Sequence, residues 1–210
     1  MALSRQFDPL FSKHAGDVPV NFLRALAKRE SNFNPKETGG SYWGILQVGF
    51  RNVLPSYNKR RGTNFSANDL LNPDINIMIA ADLLNRIPIA YAKHPDPNMK
   101  PDWSNPEFVK LVLAGWNSGY SEGGGVGKVA RYLESRGIPV THDAVFANAA
   151  AAGATKHLSS TAKQRWQRGV ASLFYQEGGP GFFAGSRGRL KMLGLVAGAG
   201  FAVYALTPKG

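Results

Sequence analysis

Two tripeptides constrain this chain more than any other feature, Asn72-Pro73-Asp74 and Asn105-Pro106-Glu107. Each joins an Asn able to cap a helix, a Pro whose fixed φ suits the first helical position, and an acid set against the positive end of the helix dipole. Both segments are therefore committed to helix. The first is predicted to run to about Ile87, and the second through FVKLVLAGWN to Gly119, a residue suited to ending a helix. Residues 88–106 between them read as a Pro-punctuated loop. An earlier helix begins at Asp17, which is placed to cap it. Pro19 lies in its first turn, Leu23, Leu26 and Ala27 form its apolar stripe, and Asn34-Pro35 closes it. Residues 128–136 and 161–175 continue in the same vein, the latter basic and amphipathic. Residues 147–155 (ANAAAAGAT) read as a helix or a linker, and YWGILQV, after a Gly-rich turn at 38–41, as a short strand or a buried helix. The chain shows no internal repeat and is predicted to be mainly α.

Composition narrows the chemistry. The 210 residues contain no cysteine, which removes disulfides, thiolate nucleophiles and cysteine-based metal sites. The four histidines (His14, His94, His142, His157) show no metal-ligand spacing, so neither a metal nor another cofactor is expected. SEGGGVGK fails as a phosphate-binding loop, because Glu122 stands where the first Gly belongs and Val129 follows the Lys. The formal net charge of +11 favours a polyanionic partner: nucleic acid, anionic lipid or an acidic wall polymer.

Among the acids, Glu30 has a distinctive position. It lies four residues after Leu26 and seven after Leu23, on the apolar stripe itself. A carboxyl placed there is desolvated, its pKa rises, and it suits general acid work near neutral pH. The plain alternative is a helix-end Glu paired with Lys28 or Arg29. Asn117 has a comparable place, four residues after Leu113 and eight after Val109, where it is either a polar residue at the floor of a cleft or a helix-ending Asn before Gly119.

ESNFNP from Glu30, GILQV fourteen residues later, NPDINIMIAADLL and LAGWNSGYSEGGGVGKVARY occur in that order. Together they resemble the soluble lytic transglycosylase family, the goose-lysozyme-like branch of the lysozyme superfamily, whose members read ESxFxP, GLMQ, NPxxNI and AAYNAG. The resemblance covers residues 17–132. It implies a lysozyme-like α+β fold with a cleft, Glu30 as the single catalytic acid/base, and Ser31 as the residue orienting the sugar N-acetyl group. Gly44, Leu46 and Gln47 fall on the cleft-lining segment, with Leu46 where Met is usual. Trp116 stands where the family has Tyr, keeping a surface for stacking on sugar but lacking the phenolic hydroxyl. Asn117 matches the family asparagine. The family's later cleft tyrosine has no evident counterpart, and residues 161–175 are candidates to replace that segment.

Most glycosidases use two carboxyls. From Val18 to Asn68 the only acids are Glu30 and Glu37, and Glu37 sits in a polar loop. The resemblance implies that the substrate's own N-acetyl group replaces the second acid, giving a 1,6-anhydro product from peptidoglycan. A hydrolysing muramidase on the same fold is the alternative, with Asp69 or Asp74 as its second acid.

These readings divide the chain into an N-terminal arm (1–16), a transglycosylase domain (17–136), a basic helical extension with a Gly-rich hinge (137–186) and a candidate membrane segment (187–210). No charge occurs from Met192 to Pro208, a length at the lower limit for crossing a bilayer. Contact with a membrane through residues 190–208 and a buried Gly/Ala-rich core helix are the two readings of it. Residues 156–191 carry seven cations against Glu177 alone, so a basic DNA- or membrane-binding structural virion protein is the reading from another class. The N-terminus has no signal-peptide core, Arg5, Asp8 and Lys13 interrupting it. A wall enzyme without such a signal fits carriage in a bacteriophage particle, with local wall opening at genome entry, or otherwise an association with the cell envelope.

Overall fold

The computed structural model describes residues 3–154 and 156–180, so the end of the Gly-rich hinge at 181–186 and the candidate membrane segment at 187–210 lie outside the described residues. Eight helices and a small sheet make up this part: α1 (Asp8–His14), α2 (Val20–Ser31), β1 (Thr38–Gly39), β2 (Tyr42–Trp43), β3 (Val48–Gly49), α3 (Val53–Arg61), α4 (Pro73–Tyr91), α5 (Pro106–Ser118), α6 (Val126–Glu134), α7 (His142–Asn148) and α8 (Thr161–Gln176). The chain is mainly helical, as its caps predict. Asn72 and Asn105 accept the backbone N–H groups of Asp74 and Glu107, and each is followed by Pro at the first helical position.

Several boundaries differ from the sequence reading, each for a local reason. Asp17 does not cap α2; Pro19 occupies that place, and the Asp17 N–H is taken by the Asn85 side chain at 2.9 Å. Helix α4 runs through Pro88 to Tyr91, whose ring is buried and whose hydroxyl donates to the Leu111 carbonyl at 3.0 Å. YWGILQV is neither one strand nor one helix. Tyr42–Trp43 and Val48–Gly49 are the second and third strands of an antiparallel sheet ordered β1-β2-β3, with Trp43 opposite Val48 and a tight turn between them. The alanine-rich stretch is the end of α7 followed by turns.

Residues 1–16, expected as an arm, carry α1, which packs on α2 and α4. Phe7 and Phe11 are buried in the common core, and Arg24 of α2 clamps Asp8 through bonds of 3.0 and 2.7 Å. The described residues of the stretch expected as an extension, 137–154 and 156–180, likewise contribute to that core. Helix α8 lies against α2 and α5, and the rings of Phe174 and Phe22 meet edge-on at 5.7 Å with Trp103 beside both. Burying a side chain of this size stabilises by roughly 2 kcal/mol, so detaching α8 exposes the floor of the whole domain. Its far end is also held: Glu177 accepts from the Leu3 N–H at 3.1 Å and lies 3.8 Å from Arg24.

The β2–β3 turn is fixed by one buried amide. Asn76 donates to the carbonyls of Trp43 (2.8 Å) and Leu70 (2.9 Å) and accepts the Leu46 N–H at 2.9 Å. Gly44 passes so close to this amide that a Cβ there would lie 2.1 Å from the Leu70 carbonyl, and its φ of +82° is one that glycine adopts freely.

Candidate active site

Helix α2 ends in an unusual way. Asn32 and Phe33 both adopt left-handed backbone, at φ 53° and 64°, which turns the chain away immediately after Glu30 and Ser31. Among the described residues the remaining positive φ at a non-glycine residue is Gln47 (46°), which lines the same pocket as Glu30. Strain of this kind persists only where the surroundings enforce it, and here it gathers around one carboxyl.

Glu30 lines a cleft pocket of about 190 Å³ together with Gly39, Tyr42, Gln47, Gly49, Val53, Leu83, Trp116, Asn117 and Lys163. A second pocket of about 400 Å³ shares Tyr42, Val53, Leu83, Trp116 and Asn117 with it, so the two form a continuous groove. Glu30 Oε1 accepts from Trp116 Nε1 at 2.7 Å. The ends of α2 and α5 therefore meet at the cleft floor through an indole N–H and a carboxyl. Neither Lys28 nor Arg29 pairs with it; the Lys28 ammonium bonds Asn32 at 2.5 Å instead. Burial drives the Glu30 carboxyl up from 4.5 to about 7, against the Trp116 hydrogen bond and the Lys163 charge, which both pull it down. The group thus carries a transferable proton near neutrality.

No second acid accompanies it among the described residues. Among the described residues, Glu30 is the one carboxylate in either lining. Asp69 caps the turn at 67–71 by accepting from Ser66, and Asp74 is bound by Lys13 and His14; these donors hold both carboxyls below the usual range. Asp82 is clamped by Arg60 and Arg61 at 2.5 Å each. Glu37 accepts from Asn34 in the exposed loop.

The sequence profile of the transglycosylase SLT domain matches residues 11–137, more than half of the chain. The chain belongs to that family. Among solved structures, the 70 kDa soluble lytic transglycosylase of Escherichia coli shares the fold with a TM-score of 0.56 and 17% identity, over 84% of this chain and 25% of that one. The chain thus spans about a quarter of that protein's length. No curated protein matches the sequence.

The SLT domain match ends at residue 137, yet the groove does not. Lys163 reaches it from α8, and Gln167 of the same helix bonds Asn117 at 2.9 Å. Of the residues singled out from sequence, Glu30, Gln47, Trp116 and Asn117 line the groove. Ser31, Gly44 and Leu46 do not. The Ser31 hydroxyl is buried and donates to the Ile45 carbonyl at 2.8 Å, tying the β2–β3 turn to the end of α2. Leu46 is fully buried, and Gly44 lies under Asn76. These three shape the groove wall from behind. The Gln47 amide donates to the Glu37 and Gly44 carbonyls. Sequence reasoning missed Tyr42, the most exposed aromatic of the sheet at 47%, and Lys163. It also passed over Asn76, although that residue stands four before Ala80 and eight before Leu84, on a stripe as apolar as the one that marks Glu30.

Proposed function

We propose that this SLT domain cleaves peptidoglycan as a lytic transglycosylase, with Glu30 serving in turn as acid and base. The single observation that carries this reading is a desolvated carboxyl, its pKa raised to about 7, held by Trp116 in a groove whose lining contains no second carboxylate. Such a site lacks the residue that a two-carboxyl glycosidase uses as nucleophile or water activator. An N-acetylated sugar supplies the missing function from its own acetamido oxygen.

The proton budget then closes on one residue. Glu30 protonates the glycosidic oxygen between N-acetylmuramic acid and N-acetylglucosamine, and the C1–O bond breaks as the acetamido oxygen stabilises C1. The Glu30 carboxylate, still bonded to the Trp116 indole, takes the proton of the muramic C6 hydroxyl, whose oxygen closes on C1. The products are a free 4-hydroxyl and a 1,6-anhydro ring, with no water consumed and Glu30 protonated again. The aromatic faces of Tyr42 and Trp116 flank the groove and suit stacking against sugar rings.

Mass analysis of muropeptides released from purified walls tests this directly. Anhydromuramic ends are expected. Reducing muramic ends in their place would overturn the reading in favour of a hydrolase, whose proposed second acids, Asp69 and Asp74, are engaged away from the groove.

Two further results are expected. The rate of cleavage at low substrate falls as pH rises through about 7, because Glu30 must carry its proton into the free enzyme. Trp116→Phe removes the donor that lowers the Glu30 pKa while keeping an aromatic face, so this alkaline limb moves to higher pH. An alkaline limb unmoved in Trp116→Phe would show that the indole does not act on Glu30.

A further inference from the structure

A chain of three buried or half-buried side chains runs back from the groove. Asn117 Oδ1 accepts from Gln167 Nε2 at 2.9 Å, and Gln167 Oε1 accepts from His142 Nε2 at 2.7 Å. Gln167 and His142 are fully buried, on α8 and α7, and both lie beyond the stretch that the family profile matches. An amide in such a chain has a direction: whichever end of Gln167 faces His142 fixes which end faces Asn117, and so which end of Asn117 faces the groove.

The direction follows from the contact with the imidazole. Gln167 Oε1 is the atom that faces the ring, 2.7 Å from Nε2, and an amide oxygen only accepts, so His142 Nε2 is the protonated nitrogen. The other ring nitrogen is 3.4 Å from Asp143 Oδ1, a contact at the limit of a hydrogen bond. That same oxygen already accepts from Gln164 at 3.0 Å and from Arg168. Gln167 must then offer its NH2 to Asn117, whose oxygen is thereby occupied. What Asn117 presents to the groove is its own NH2 group.

We propose that Gln167 and His142 are positioning residues that lock the Asn117 amide with its donor toward the groove, so that the site selects a carbonyl-type acceptor on the bound sugar. This deepens the transglycosylase reading, on which the choice of a sugar ligand rests. The acetamido group of an N-acetylated sugar provides such an acceptor, and a groove with the amide reversed would repel it. His142 suits a fixed role, since its burial favours the neutral ring and the bond to Gln167 Oε1 keeps the one remaining proton on Nε2.

The test uses the full chain. In wild type labelled with 15N, the side-chain NH2 of Gln167 is expected to exchange slowly with solvent and that of Asn117 quickly, with His142 protonated at Nε2. Asn117→Asp keeps the oxygen that accepts from Gln167 and replaces the outward donor by a charged acceptor. It is expected to melt within a few degrees of wild type while kcat/KM on peptidoglycan falls about tenfold, the equivalent of one lost hydrogen bond. Gln167→Met should lower kcat/KM to a similar degree alone and add nothing in an Asn117→Ala background. Slow exchange at Asn117 with fast exchange at Gln167, or an Asn117→Asp protein that melts far below wild type, would overturn the relay. So would losses that multiply in the double variant. Exchange and melting need no turnover, so they decide the relay even where the products contradict a transglycosylase.

Discussion

Glu30→Gln is expected to abolish release of anhydromuropeptides, cutting turnover by about a thousandfold or more, within what a positioned general acid contributes together with its second role as base. The substitution is nearly isosteric, and the glutamine oxygen can still accept from Trp116 Nε1. Its effect on stability runs the opposite way. Glu30 has a higher pKa folded, about 7, than the ordinary 4.5 it has unfolded. The unfolded chain therefore loses its proton first, and stability falls as pH rises from 4.5 to about 7, then levels off. A rise from 4.5 to about 7 corresponds to a burden on the order of 3 kcal/mol above neutrality. Glutamine carries no such burden. At pH 8 the variant should melt above wild type, and at pH 4 the two should converge. Product analysis and thermal melts at both pH values check the pair of effects. A Glu30→Gln protein with wild-type turnover would remove Glu30 from the chemistry, and one that melts lower at pH 8 would contradict the desolvation that sets its pKa.

This opposition of stability and activity is also what made Glu30 legible. A charge on an apolar stripe breaks the local pattern, and such breaks mark function when nothing nearby satisfies them. The capped helices were legible for the converse reason, since Asn72 and Asn105 specify their own segments and need no distant partner. Lys163 and Gln167 were not. Their roles depend on α8 folding back across α2 and α5, which is decided by Phe174 meeting Phe22 and Trp103 over more than seventy residues of separation. No local period encodes that. Helix α1 escaped notice because seven residues with Phe11 as their one buried side chain show almost no periodicity. Helix α3 escaped because its nine residues bury only Leu54 and Tyr57 and end in three cations. Ser31 shows the limit of motif transfer: the resemblance implies a role in orienting the sugar N-acetyl group, while its hydroxyl proton is given to the Ile45 carbonyl inside the protein.

The largest loss of stability is expected at Asn76, not at any groove residue. Its amide meets two carbonyls and one N–H, all belonging to the turns at 43–46 and 70, and its side chain is fully buried. Asn76→Leu keeps the branching and heavy-atom count of the side chain and strands all three backbone groups away from water. Each unsatisfied group costs about 1–3 kcal/mol, so a loss on the order of 4 kcal/mol is expected, a large part of the stability of a domain this size. Asn76→Asp is no remedy, because it retains the acceptor for Leu46 and turns a second oxygen toward two carbonyls. Gly44→Ala attacks the same junction from the other side: the new Cβ meets the Leu70 oxygen at 2.1 Å and the Asn76 amide at 2.2 Å, on a backbone of φ +82°. Denaturant midpoints should fall steeply in all three variants, and cleavage should fall with them, since the junction holds Gln47 at the groove. A wild-type midpoint for Asn76→Leu would mean that these carbonyls find other donors. Glu30→Gln and Asn76→Leu thus separate two meanings of a polar residue on an apolar stripe: the first, left without full compensation, is expected to stabilise above neutrality when removed, and the second, fully compensated, to destabilise.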